Sequence, residues 1–157
     1  MKQLKSTILS IAIITSMSAA LTIPVSVQAA GAWKTINGAA CFGRNDSADR
    51  LNRWTRGAEA TTNTFTHVYC PLEVETQYAT PMEVWVNYEK KAGSSMSCKL
   101  HRRSYSGTSG AFSSYSMPEG VGSSFKSLST LASGSMMVVC RLYKVGDKIT
   151  SINHRLN

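Results

Sequence analysis

Four cysteines behind an export-type leader constrain this chain more than any other feature of it. Lys2 and Lys5 make a basic start, Ile8 to Ile14 opens an apolar stretch diluted by Ser and Thr that runs to Val27, and Val27-Gln28-Ala29 and Gln28-Ala29-Ala30 offer small-residue cleavage sites. The apolar core falls short of the roughly 20 residues a spanning helix needs. No Cys follows directly as it would in a lipoprotein. Residues 1–30 therefore read as a cleaved signal peptide and residues 31–157 as one secreted or periplasmic domain, with no membrane-spanning segment in the mature chain. Export puts Cys41, Cys70, Cys98 and Cys140 in an oxidising compartment, where an even count reads as two disulfides.

Zinc would call for close pairs such as C-x-x-C, and none is present. Four cysteines allow three connectivities. The sequence favours Cys41–Cys70 with Cys98–Cys140, because Cys98 and Cys140 each stand among inward apolar neighbours and could meet in a core, bridging two sheets. Each link would stabilise the fold by roughly 3–4 kcal/mol.

The mature region alternates with period two and nowhere keeps a long helical period. In Met82 to Glu89, Met82, Val84, Val86 and Tyr88 share one face and Glu83, Trp85, Asn87 and Glu89 the other. Pro81 opens this strand and Lys90 to Ser94 closes it as a turn. Ser95 to Arg103 follows with Met96, Cys98 and Leu100 on one face, so the two read as a hairpin. Met136 to Tyr143 and Thr64 to Leu72 alternate as clearly. Weaker strands are expected near Lys34–Cys41, Arg50–Arg56, Ser123–Leu131 and Lys148–Leu156, with Gly146-Asp147 as a compact hairpin turn. Seven or eight short strands match an all-β antiparallel sandwich, with a barrel as the lesser alternative. The Ser/Gly-rich run Ser104 to Ser124 reads as a long loop pinned by Tyr105, Phe112 and Tyr115.

Val68-Tyr69-Cys70-Pro71-Leu72, Ser97-Cys98-Lys99-Leu100, Val138-Val139-Cys140-Arg141-Leu142 and Ile149-Thr150-Ser151-Ile152 form an ordered pattern. It resembles small secreted bacterial disulfide-containing proteins of unassigned function that carry C-P-L, C-x-L and a late V-x-C. The resemblance implies a disulfide-bridged β-sandwich and assigns no catalytic or binding residue.

Catalytic chemistry finds little footing. His67, His101 and His154 lie on three separate strands, outside H-E-x-x-H or other metal spacings, and there is no G-x-S-x-G elbow. Disulfide formation would consume every thiol nucleophile. Asn45-Asp46-Ser47-Ala48-Asp49 lacks the order of a calcium loop and reads as a turn, while Glu73 and Glu75 face water. Neither an enzyme nor a metal or cofactor site is expected.

Binding signals are stronger. Arg50-Leu51-Asn52-Arg53-Trp54-Thr55-Arg56 interleaves Arg50, Arg53 and Arg56 with Trp54; if extended, Arg50, Asn52, Trp54 and Arg56 share a face. Trp stacks on sugar rings and Arg forks onto carboxylate or phosphate. Trp85 stands opposite its strand's apolar residues, and Lys99, His101 and Arg103 form a second basic set. The formal charge of +8 becomes +6 once the leader's two lysines are removed, fifteen basic against nine acidic side chains. These features point to a non-catalytic module for carbohydrate or an anionic envelope polymer. The alternative is a structural or protein-interaction component of the envelope or matrix. No recognised nucleic-acid module is present.

Overall fold

The computed structural model describes residues 31–44, 48–74, 81–104, 110–130 and 134–157. The leader, Asp46, Glu75 and Tyr105 lie outside the described residues. Among the described residues, eleven strands build two antiparallel sheets packed as a sandwich. They are β1 (Lys34–Asn37), β2 (Phe42–Gly43), β3 (Leu51–Trp54), β4 (Gly57–Ala60), β5 (Thr66–Leu72) and β6 (Pro81–Lys90), followed by β7 (Ser97–Ser104), β8 (Gly110–Ser114), β9 (Gly120–Ser129), β10 (Gly134–Leu142) and β11 (Lys148–Leu156). The first sheet runs β3-β4-β11-β6-β9, with β1 also paired to β11; the second runs β2-β5-β10-β7-β8.

The clearest expected alternations reproduce their faces. Met82, Val84, Val86 and Tyr88 of β6 are buried, as are Val68, Cys70 and Leu72 of β5 and Met136, Val138, Cys140 and Leu142 of β10. They meet Leu100, Ile149 and Ile152 in one apolar cluster between the sheets. At roughly 1.5–3 kcal/mol per fully buried aliphatic side chain, this layer is the main favourable contribution to the fold.

Two expected hairpins are not hairpins. β6 pairs with β11 and β9, whereas β7 pairs with β10 and β8, so the chain crosses from one sheet to the other after Lys90. It crosses back between β10 and β11, through Gly146 at φ 85° and Asp147. Both crossings converge on the fully buried Asp147 carboxylate. Its oxygens accept from the backbone N–H of Lys91 (3.0 Å), Tyr143 and Lys144 (2.9 Å each) and from the Ser94 hydroxyl. Burial raises the pKa of this carboxyl, but the four hydrogen bonds outweigh it and hold the group below its ordinary value. The expected loop Ser104 to Ser124 in fact supplies β8 and the first half of β9, with Tyr115 and Met117 buried between them.

The disulfides are Cys41–Cys70 and Cys98–Cys140. The pairing is the favoured one, but the link is not between sheets. Cys98 and Cys140 stand directly opposite on β7 and β10 with Cα atoms 4.0 Å apart, and Cys41 precedes β2, which pairs with β5. Facing positions of an antiparallel ladder approach closely enough for a covalent link within one sheet.

Candidate functional site

The outer face of the first sheet is built by register. Thr35 of β1 faces Asn153 of β11, Asn153 faces Trp85 of β6, and Trp85 faces Phe125 of β9. A parallel row runs Asn37, Ser151, Asn87 and Ser123. The central strand reaches this arrangement through a bulge between Ile149 and Ser151. The extra residue advances the alternation by one, so Ile152 and His154 turn inward while Ser151, Asn153 and Arg155 turn out. Without it Asn153 would point into the core.

Side chains on this face hold one another in place. Thr35 donates to Asn153 Oδ1 (2.9 Å), and Asn87 Nδ2 donates to Ser151 Oγ (2.8 Å). The Trp85 and Phe125 rings lie 5.0 Å apart at centroid. Trp33, just before β1, carries the Arg155 guanidinium 4.7 Å from its ring centre. Arg155 Nε in turn donates to Glu83 Oε2 (2.8 Å), whose other oxygen accepts from Asn157 (2.6 Å). The Arg155 hydrogen bond, with that of Asn157, holds the Glu83 carboxyl below the usual carboxylate range. Trp33 is thus anchored on one side and 43 % exposed; Trp85 is 38 % exposed.

Between them lies an open groove of about 360 Å³ lined by Trp33, Thr35, Trp85, Ser123 and Asn153. Two indoles, an amide and two hydroxyls suit a ligand with apolar faces and equatorial hydroxyl groups. None of the five titrates, so the groove holds neither a nucleophile–base pair nor an acid–base pair. Among the described residues, no cluster of three or more His, Cys, Asp or Glu is placed to hold a metal ion. No helix among them is long and apolar enough to cross a membrane.

The sequence-predicted site residues fall in two places. Trp85 is central to the groove. Arg50, Arg53, Trp54 and Arg56 sit at the far edge of the same sheet: Arg50 ends a short 3-10 turn, Arg53 and Trp54 finish β3, and Arg56 lies in the β3–β4 turn before Gly57. Extended backbone stops at Trp54, so Arg56 does not continue its face. Trp54 is 60 % exposed and borders a separate hollow with Thr55, Arg56, Glu59 and Lys148. Sequence reasoning passed over Trp33. The available signal was its spacing of two from Thr35, which puts both on one face of an extended N-terminal segment.

No protein-family model and no curated protein matches the sequence. Among solved structures the chain is similar to the apo form of BiXyn10A CBM1, at 12% identity and TM-score 0.49, covering 78% of this chain and 96% of that one. It is similar also to TmCBM61 in complex with β-1,4-galactotriose, at 13% identity and TM-score 0.45, covering 80% and 87%. A third similarity is to a carbohydrate binding module, CBM6cm-2 from Cellvibrio mixtus lichenase 5A in complex with cellotriose, at 9% identity and TM-score 0.43, covering 78% and 95%. At these identities and TM-scores, neither family membership nor any residue's role transfers to this chain.

Proposed function

We propose that this protein is a secreted, non-catalytic binding module that holds neutral carbohydrate on the outer face of its first sheet. The observation that carries the reading is the groove in which Trp33 and Trp85 flank Asn153, Thr35 and Ser123. Indole faces take the C–H side of a sugar ring, and the amide and hydroxyls exchange hydrogen bonds with its hydroxyl groups. Strand register sets Thr35, Trp85, Ser123 and Asn153, and the Arg155 guanidinium holds Trp33 just ahead of β1, so these groups are preorganised, which reduces the ordering cost of binding.

Retention of the disulfide-intact protein on cellulose, xylan and galactan tests the reading. Wild type should bind at least one of them in a salt-resistant manner. Trp33→Ala and Trp85→Ala should each weaken that binding tenfold or more, about 1.4 kcal/mol or more. Both side chains are partly exposed, so the variants should keep the wild-type melting transition within a few degrees. Unchanged affinity in both variants, or no retention of wild type on any neutral polysaccharide, would sink the assignment.

A further inference from the structure

Among the described strands the acidic side chains all belong to one sheet. The five strands of the second sheet contain no Asp or Glu, but carry His67, Lys99, His101, Arg102, Arg103 and Arg141. The strands of the first sheet hold Glu59, Glu83 and Glu89, and all three meet a cation there. On the outer face of the second sheet lies a concave cleft of about 600 Å³. Its floor is Met137 and Val139 and its walls include Arg44, Lys99, Arg103 and Arg141. Alternation puts Lys99, His101 and Arg103 in a line along β7, roughly 7 Å apart at two residues per repeat of a strand. Arg141 faces Ser97 at the near end of that line, on the neighbouring strand. Burial first, and then the charges of Lys99 and Arg103, hold the His101 imidazole below its ordinary pKa.

We propose that this cleft is a second binding site, distinct from the Trp33–Trp85 groove, for a polysaccharide bearing phosphate or sulfate groups. Lys99, Arg103 and Arg141, gathered about the cleft with no carboxylate among its lining residues, match a chain carrying several anionic groups, and the neutral imidazole of His101 between Lys99 and Arg103 can hydrogen-bond to it. Stacked nucleobases fit less well, because the one aromatic ring lining the cleft besides its two histidines is Tyr69, while the phenylalanines lie around it rather than in it. Phe112 carries Lys99 at 4.2 Å and packs on His101, and Phe65 packs on His67 and Tyr143 with Arg141 at 5.9 Å. Tyr69 stacks on Phe42. The cleft therefore reads its ligand through charge.

Dextran sulfate is the probe, with uncharged dextran and single-stranded DNA alongside, across a salt series. Wild type should bind dextran sulfate and ignore dextran. The triple variant Lys99→Gln/Arg103→Gln/Arg141→Gln should bind dextran sulfate at least 30-fold more weakly at low salt. Its slope of log affinity against log salt should be shallower by about three. A triple with equal charge loss elsewhere, Arg53→Gln/Arg56→Gln/Lys126→Gln, should lose less than fivefold. Trp33→Ala should bind dextran sulfate like wild type, which separates this site from the neutral-sugar groove. Equal losses in the two triples would reduce the effect to net charge and overturn the proposal. So would failure of wild type to bind dextran sulfate, tighter binding of single-stranded DNA than of dextran sulfate, or loss of dextran sulfate binding in Trp33→Ala.

Discussion

His154 shows what one inserted residue does to a strand. The bulge at Thr150 turns it into the core, where it is 2 % exposed, while Asn153 and Arg155 beside it face out. Burial holds its pKa below the ordinary 6.5; the charge of Lys34 pushes the same way, and Glu73 opposes. In the unfolded chain the same imidazole takes a proton near pH 6.5. Below that value the unfolded state binds more protons than the folded one. Stability is thus full above pH 6.5 and falls as pH drops through it, by up to about 1.4 kcal/mol per pH unit, until the folded-state pKa is passed. Urea midpoints at pH 7.5 and 5.5 should show that drop in wild type. His154→Leu should show a smaller one, with His101 retaining its own share; an identical drop in the two proteins would rule out His154 as the cause. The sequence hides this inversion, because Ile149 and Ile152 stand three apart and break the alternation. Trp33 was obscured for a related reason, since Thr35 and its hydrogen-bonding partner Asn153 lie 118 residues apart in the chain.

Between elements, the two crossings from sheet to sheet depend on one carboxylate. Asp147→Ala would leave the N–H groups of Lys91, Tyr143 and Lys144 without their acceptor in a buried setting and should cost about 3 kcal/mol or more. Glu119, exposed and bonded to Gly93 N–H in the same region, is the comparison: Glu119→Ala should cost under about 1 kcal/mol. Similar urea midpoints for the two variants would mean that Asp147 clamps nothing. The faces of β5, β6, β7 and β10 were legible from alternation, but their partners were not. A strand that turns back in its own sheet and one that crosses to the opposite sheet both keep apolar residues toward the same core. Alternation therefore cannot tell a hairpin from a crossing, and β6–β7 and β10–β11 were misread on that account. β8, and the opening of β9 ahead of the expected strand near Ser123–Leu131, were read as loop for another reason: the run is rich in Ser and Gly, and Ser124 fills an inward position of β9 where an apolar residue would have signalled an earlier start. The groove was half legible, through Trp85, since Thr35, Ser123 and Asn153 are brought to it by a register that local sequence does not encode.

At the scale of the whole molecule, both covalent links lie in one layer. Cys41–Cys70 and Cys98–Cys140 tie strands of the second sheet, and the first sheet has none among the described residues. The two closed loops, 29 and 42 residues in separation, do not overlap in the chain. Their effects on the unfolded ensemble should therefore be nearly independent, at roughly 3.5–4 kcal/mol each on chain-entropy grounds. Their sum, about 7–8 kcal/mol, lies within the 5–15 kcal/mol that is typical of a whole domain, so the second sheet depends on the two links being oxidised. All four sulfurs belong to residues 1 % exposed or less. A thiol reductant consequently has no path to them in the folded protein, and reduction must follow unfolding. In native buffer the protein should resist millimolar dithiothreitol for hours, and it should become reducible only as urea approaches the unfolding midpoint. Cys98→Ala/Cys140→Ala should lower that midpoint by the equivalent of roughly 3–4 kcal/mol, less any relief from repacking. Rapid reduction in native buffer, with dextran sulfate binding kept, would show that the second sheet holds its cationic row without the links.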